Sequence, residues 1–426
     1  MRNRKLRAVL WDQMHYMLRR YNDRMTHIAL IYDGEIDPSL LKDSFRLLLD
    51  ASPVLTSRFV PSAIRPYWSV TDCTADDLFT LCDTDDPEAA AMDFLLNEIP
   101  ADGPGQVRLG LFRCGRHQVL AMLTNHMCMD GSGLLTFLRT LSRNYDALAG
   151  NGAIVPVRTG SRSHAKIYAD YPLSFKLRAQ LLFRYRGKIR SSPVFPQTAP
   201  DPHDRRRIVY RSFPGEIAGA VRSYSEKHGV TRHEVLTASV MSVLYEMCDV
   251  APDHPLAINC AINLRRHIKD HGESTGLTNH TAWLSCRVDG CPRDFSELVT
   301  AVHDCMKQAK DDPYTGLYTL PLLNLGCSVV PYFITEPIVA RVYSNPPLGV
   351  SNVGTLKSED YSFGSARLTG GHLSGTVKKK PGFMLTIAAF EDHFVITDAF
   401  FGSDADCAYV ETFFDKLEAR LRCLPD

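Results

Sequence analysis

The chain has no net charge, its 48 basic residues balancing 48 acidic ones. Nucleic acid or an anionic membrane as main partner would call for a surplus of one sign, so neither is suggested. Short basic runs do occur, at Arg205-Arg206-Arg207 and Lys378-Lys379-Lys380. Runs of that length read as solvated surface, with phosphate contact as the sharper alternative. Long apolar runs are missing too: no stretch approaches the roughly eighteen residues that a membrane span needs. The N-terminus is basic, Met1-Arg2-Asn3-Arg4-Lys5, but the segment after it is broken by Asp12, Gln13, His15 and two arginines, unlike a signal peptide. A cytoplasmic location is therefore expected. Metal-ligand spacing is also lacking. The twelve cysteines are scattered, and Cys286 and Cys291 have no second pair at zinc-finger distance. His267 and His271 are four apart, yet the glutamate of H-E-x-x-H and a third ligand are absent. Cys114, Cys248, Cys260 and Cys327 lie in apolar surroundings and read as small buried hydrophobes in a reducing compartment, and no metal site is expected.

With 426 residues, 45% hydrophobic and 23% charged, the composition is that of a soluble globular protein large enough for two domains. His27 to Tyr32 is a short apolar strand. Asp33-Gly34 makes a turn, and Asp37 with Pro38 caps and opens a helix whose inner face carries Leu41, Phe45, Leu48 and Leu49. Pro53 breaks that helix, and Pro53 to Phe59 begins another extended segment. Between about residues 150 and 204 Gly, Pro, Ser and Arg become frequent, with Pro193, Pro196, Pro200 and Pro202 close together, as in a crossover linker. A second half opens with strand-like Ile208 to Phe213. Thr231 and Glu234 then form a capping box before Val235, Leu236, Val240, Val243 and Leu244. No residue-level repeat relates the halves. The pattern is two α/β lobes of similar size, residues 1–195 and 205–426, joined through residues 150–204.

The stretch with most chemical content is His126-Met127-Cys128-Met129-Asp130-Gly131. Before it, Gln118 to Thr124 is apolar and β-leaning. After it, Gly133 to about Leu148 places Leu134, Leu138, Leu141, Tyr145 and Leu148 on one helical face. His126 thus sits where a strand gives way to a turn and a helix, a place from which a scaffold holds an imidazole rigidly at a cleft. A possible base, a carboxylate four residues on and a glycine turn point to acyl transfer. The plainer reading is a strand-end core histidine followed by an ordinary Asp-Gly turn.

Several segments, in order, carry a resemblance. Gly34-Glu35-Ile36-Asp37, Leu40-Leu41, Phe45 and Leu55-Thr56-Ser57-Arg58-Phe59 come first. Asn125-His126-Met127-Cys128-Met129-Asp130-Gly131 follows, then Gly229 to Leu236, Ile262-Asn263-Leu264-Arg265, and Ser351-Asn352-Val353-Gly354. Together they resemble the chloramphenicol-acetyltransferase-like superfamily, which includes condensation domains of nonribosomal peptide synthetases and alcohol or polyketide O-acyltransferases. Asn125 replaces the first histidine of the family's H-H-x-x-x-D-G. The D-F-G-W-G segment of the plant branch is not found.

The resemblance implies an α/β (α+β) fold of two lobes arranged in a V, with a tunnel along their interface. It implies an acyl donor carried as a thioester on phosphopantetheine, of coenzyme A or of a carrier protein, with no bound cofactor. His126 would take the proton from an acceptor hydroxyl or amine. Asp130 would be structural, paired with Arg265 or Arg58, the candidates by motif position. Gly131 would permit the turn and close backbone approach. Ser351 or Asn352 would donate to the developing oxyanion. A stand-alone acyltransferase is the favoured reading, given the intact His126 and Asp130. The alternatives are a free-standing condensation enzyme with two carrier-bound substrates, and a non-catalytic relative that binds a carrier protein or a lipid. Leu317 to Val330 is apolar enough to shape an acyl or acceptor channel and equally suits plain core.

Overall fold

The apolar runs pair into three sheets in the computed structural model, which describes residues 4–154, 161–169, 171, 173–186, 199–268, 276–343 and 346–425. In chain order the strands are β1 (Lys5–Arg7), β2 (Met25–Asp33), β3 (Ser57–Val60), β4 (Tyr67–Val70), β5 (Phe79–Asp83), β6 (Val107–Cys114), β7 (His117–Asn125), β8 (Arg205–Phe213), β9 (Leu256–Asn263), β10 (Thr281–Val288), β11 (Leu348–Thr355), β12 (Arg367–Ser374), β13 (Phe383–Ala389) and β14 (Phe394–Gly402). The first large sheet has the order β12-β2-β7-β6-β5, the second β10-β9-β11-β13-β14-β8, and a small one β1-β4-β3.

In the first sheet β2 and β7 run antiparallel in register from Met25 opposite Asn125 to Asp33 opposite His117. Both faces are covered, which is why these strands read as continuous apolar runs. Ile28, Leu30, Leu120 and Met122 pack with the helices Pro38–Ala51 and Gly131–Asp146, whereas Ala29, Val119, Ala121 and Leu123 meet Ala91 and Leu95 of the helix Pro87–Leu95. The Pro38–Ala51 helix starts as its sequence indicates, the Asp37 carboxylate accepting from the Ser39 and Leu40 amides. Pro53–Thr56 is a single 3₁₀ turn, so the extended segment begins at Ser57 and not at Pro53. The helix after the His126 loop begins at Gly131, with Asp130 as its N-cap, and ends in a π-helical turn at Ala147–Asn151.

A boundary near residue 200 does not separate the sheets. Strand β12, from the second half, pairs antiparallel with β2, Arg367 opposite Asp33 through Ser374 opposite His27. Leu356, Tyr361, Phe363, Leu368 and Leu373 join the first core. The reason is physical: β2 is buried along almost its whole length and needs a partner on its outer edge. Gly371 makes the pairing possible. Its φ is +146°, and a Cβ there would stand 2.2 Å from the Ala29 carbonyl oxygen.

The second sheet is covered by the helices Gly215–His228, Arg232–Met247, Phe295–Asp311 and Asp404–Arg422 around Val240, Leu244, Leu385, Ile396 and Phe413. The predicted capping box forms, with the Thr231 amide donating to Glu234 Oε2 at 2.8 Å. The 150–204 segment is more than a linker where it is described: Ser161 to Tyr168 includes a 3₁₀ turn with buried His164 and Ile167, and Phe175–Arg186 is a helix. Pro193, Pro196 and His271 lie outside the described residues. The basic runs are only partly solvated: Arg205 and Lys379 are exposed, whereas the others are half-buried. Arg206 pairs with Asp23 and Glu98, Arg205 and Arg207 with Asp404, and Lys380 with Asp204 and Asp406. All twelve cysteines are free. Cys260 and Cys327 are buried as expected, but Cys248 is half-buried and Cys114 exposed, because Cys114 ends β6 at the hairpin to β7. No helix among the described residues is long and apolar enough to cross a membrane, and no cluster there has the makings of a metal site.

Candidate active site

Strand β7 ends at Asn125, and the next five residues turn sharply before the Gly131–Asp146 helix. Asn125 points into the fold. It is fully buried, its Nδ2 donating to Gln106 Oε1 at 2.8 Å and its Oδ1 accepting from the Met127 amide at 3.1 Å. His126 points the other way and is half-buried. Its amide donates to the Arg24 carbonyl at 2.7 Å, and Arg24 holds a φ of +66°, a strained conformation for a residue with a Cβ.

The imidazole is held in one tautomer. Asn279 Nδ2 donates to the carbonyls of His126 and Met127, at 2.7 and 3.2 Å, which fixes which end of the amide is oxygen. That oxygen lies 2.8 Å from His126 Nδ1 and can only accept, so Nδ1 carries the proton. Nε2 then presents a lone pair and has no hydrogen-bond partner among the described residues. Burial holds the imidazole below its ordinary pKa, with Lys378 acting in the same direction against Asp130 and the Asn279 bond. The ring of His15 stacks on that of His126, with centroids 4.4 Å apart and planes 28° apart. Burial first, then His126, Lys378 and Arg24, keep His15 well below the usual histidine range. Two neutral imidazoles therefore lie face to face. Burial also pushes the half-buried Lys378 ammonium down to about 8.

Asp130 serves the loop. Its Oδ1 accepts from the Gly133 amide at 2.8 Å as the helix N-cap. Its Oδ2 accepts from Arg265 Nη1 at 2.8 Å, the His280 amide at 2.7 Å and Thr281 Oγ1 at 3.0 Å. Burial alone would raise this carboxyl, but Arg265 and the amide donors outweigh it and hold it below the ordinary aspartate value. Of the two arginines named from the sequence, Arg265 makes the pair. Arg58 does not: on β3 Ser57 and Phe59 point inward, so the strand's twofold alternation leaves Arg58 exposed opposite Ser69. A second arginine clamp was not foreseen. Arg162 forms a two-pronged pair with the buried Asp12 at 2.8 and 2.9 Å and donates to the Met127 and Cys128 carbonyls at 3.2 and 3.3 Å.

The close approach expected at Gly131 is found instead at Gly133. Gly131 is not in the left-handed region, and a Cβ there would meet Val353 Cγ1 in ordinary contact at 3.5 Å. A Cβ on Gly133 would stand 3.0 Å from Met129 Cβ and 3.3 Å from Asp130 Oδ1, inside the cap. Val353 continues β11 just beyond Ser351 and Asn352, which brings that strand beside the helix start. Ser351 is half-buried, and Asn352 is exposed with its Oδ1 accepting from the Gly354 amide at 2.9 Å; neither bonds to the His126 loop. Leu317 to Val330 divides between the two readings, with Leu317, Leu320 and Cys327 buried and Leu325 and Val329 exposed on the helix Leu320–Val329.

A sequence profile described as the condensation domain matches residues 13–325. No curated protein sequence matches the chain. Among solved structures, the first condensation domain of the calcium-dependent antibiotic synthetase, in complex with a substrate analogue, is similar at a TM-score of 0.73 and 17% identity, covering 99% of this chain and 98% of that one. Polyketide synthase associated protein 5 from Mycobacterium tuberculosis is similar at 0.67 and 15%, covering 99% and 98%. The epimerization domain from the third module of tyrocidine synthetase B reaches 0.70 at 10%, covering 98% and 96%. At these identities the likeness is one of fold, which is the chloramphenicol-acetyltransferase-like fold of condensation domains.

Proposed function

The chain belongs to the condensation-domain family, whose members transfer acyl groups, and from that premise we propose that it moves an acyl group from a phosphopantetheine thioester to a hydroxyl or amine acceptor with His126 as general base. The observation that carries this reading is the fixed tautomer: Asn279 Oδ1 accepts a hydrogen bond from Nδ1–H, so the proton stays on Nδ1 and Nε2 has a lone pair to offer. The depressed basicity of His126 keeps it neutral at pH 7, the state a base must start from. As the acceptor oxygen or nitrogen bonds to the thioester carbonyl carbon, its proton passes to Nε2. The tetrahedral intermediate then collapses, the C–S bond breaks, and the imidazolium returns the proton to the departing thiolate. Asp130 and Arg265 hold the loop and take no proton. Ser351 is the candidate donor to the oxyanion, since its strand runs beside the loop; Asn352, with its oxygen tied to Gly354, is the second candidate.

Thiol release tests the proposal. Acyl-coenzyme A donors from short to long are offered with mixed alcohols and amines to the native chain and to His126→Ala. Acceptor-dependent release that falls about 10²–10⁴-fold in the variant supports the base role. Release from carrier-protein thioesters alone would select the free-standing condensation reading. Silence with both donor types, alongside intact carrier binding by His126→Ala, would favour the non-catalytic relative.

A further inference from the structure

The helix Tyr332–Val342 is oriented against its own sequence. Its sequence, YFITEPIVARV, is mostly apolar, with Thr335, Glu336 and Arg341 the exceptions, yet the residues it buries are Tyr332 and Thr335. Phe333, Ile334, Ile338 and Val342 face outward, with exposures of 58%, 38%, 54% and 75%. Several large apolar side chains left exposed together mark a surface that meets a protein or a membrane. The face continues past its ends. The amides of Tyr332 and Phe333 donate to the Ile64 and Ala63 carbonyls, and Ile64 is 63% exposed. Arg65 donates to the Cys327 and Val329 carbonyls at the end of the preceding helix, where Val329 is also 63% exposed. Arg20 donates to the Ala340 carbonyl, and Arg19 pairs with Glu336.

These contacts put residues 4–7, 19–21, 63–67 and 325–343 on one side of the protein. The four segments contain seven arginine or lysine residues and a single carboxylate, Glu336, which Arg19 neutralises. In a chain of zero net charge that is a strong local excess. At one edge of the apolar face a groove of about 520 Å³ has Leu6, Pro66 and Tyr67 in its wall together with Lys5, Arg7 and Arg65, and no acid.

We propose that this face docks on an anionic phospholipid membrane, the Tyr332–Val342 helix lying in the interface with Phe333, Ile338 and Val342 among the acyl chains and the basic rim against the headgroups. Apolar side chains at such exposure ringed by guanidinium groups are what an anionic interface attracts through both of its forces. A protein partner would more commonly be met by a few buried anchors than by aliphatics spread over two helices. A net charge of zero is compatible with this partner, because the positive side is balanced elsewhere.

Flotation of the full chain with lipid vesicles decides it. Vesicles of phosphatidylcholine mixed with phosphatidylglycerol should carry the protein, and vesicles of phosphatidylcholine alone should carry much less. Phe333→Ser/Ile338→Ser/Val342→Ser should abolish flotation, and Arg341→Glu should weaken it by about fivefold or more. These side chains are exposed, so circular dichroism should be unchanged, and transfer to a water-soluble acceptor should persist because none of them lies at His126. Failure of the native chain to float, or flotation undiminished in the triple variant, would overturn the proposal. So would the case in which neither vesicle binds while a purified acidic acyl carrier protein binds the native chain and not the triple variant, which would make this a protein-docking face.

Discussion

Replacing Asp130 by alanine should damage the fold more than removing the catalytic candidate itself. Asp130 is 2% exposed and accepts four hydrogen bonds, two of its partners being backbone amides and one the Arg265 guanidinium. Breaking a buried pair from one side costs about 3–5 kcal/mol, chiefly by stranding the remaining charge. Arg265 keeps 20% side-chain exposure and a second acceptor, the Thr278 carbonyl at 3.1 Å, so part of its charge can be rehydrated. That places the loss near the lower limit, about 3 kcal/mol including the missing helix cap. His126→Ala forfeits one hydrogen bond and one ring contact, about 1–2 kcal/mol. Thermal melts of the two variants should therefore separate clearly, with Asp130→Ala the lower. The double variant Asp130→Ala/Arg265→Met should regain part of the loss, because the stranded charge is gone. Equal melting of the single variants, or no recovery in the double, would refute the structural role of Asp130.

Asn279→Leu should lower kcat by about tenfold or more, since nothing then fixes the proton on Nδ1, with thermal stability falling less than in Asp130→Ala; a rate unchanged across the pH range would show that the tautomer is set otherwise. The rate profile of the native enzyme should be flat near neutrality and fall on acidification through a pKa below the usual 6.5, because burial favours neutral His126 and only the neutral form is a base. Stability should also fall in mild acid. Burial depresses His164 to about 3 and His280 to about 4, outweighing the Asn279 backbone, which acts to raise both. Above about pH 6.5 neither state is protonated; below it the unfolded chain takes up protons that the folded one refuses, so going from about pH 7 to about pH 5 should cost about 2 kcal/mol per histidine. His164→Phe should show a shallower drop in melting temperature over that interval. Gly371→Ala should unseat β12 from β2 and cost several kcal/mol in urea melts, the close approach to Ala29 leaving no room for a methyl group.

Much of the local structure could be read from single segments. The Asp37-Pro38 helix start, the Thr231–Glu234 capping box, strand β7 and the amphipathic helix beyond Asp130 are each specified within a few residues. Errors arose where a neighbour far along the chain decides. Cys114 follows the apolar Leu109–Phe112 run but sits between Arg113 and Gly115 and ends a strand at a surface hairpin. Lys380 belongs to a basic run but is buried between Asp204 and Asp406. β12 follows second-half strands yet completes the first sheet, because the requirement for it resides in the buried edge of β2 and not in its own composition.

The candidate site divides along the same line. His126 and Asp130 lie within one motif, and Arg265 was reached through a second. The groups that set the chemistry of His126 come from elsewhere: His15 stacks on it from 111 residues away, and Asn279, which fixes its tautomer, is 153 residues distant. Neither belongs to a pattern with any periodicity, and a lone histidine or asparagine carries no local mark of its partner. Yet the clamps share a logic. Asn279 and His280 lead into β10, which Thr281 opens, Arg265 follows β9, and those two strands are paired, so the second sheet grips the end of a first-sheet strand through one hairpin-like edge. Arg162 grips the same loop from the connecting segment. The imidazole is thus oriented only when elements of both sheets are assembled, because the groups that fix its tautomer and its loop come from the second sheet.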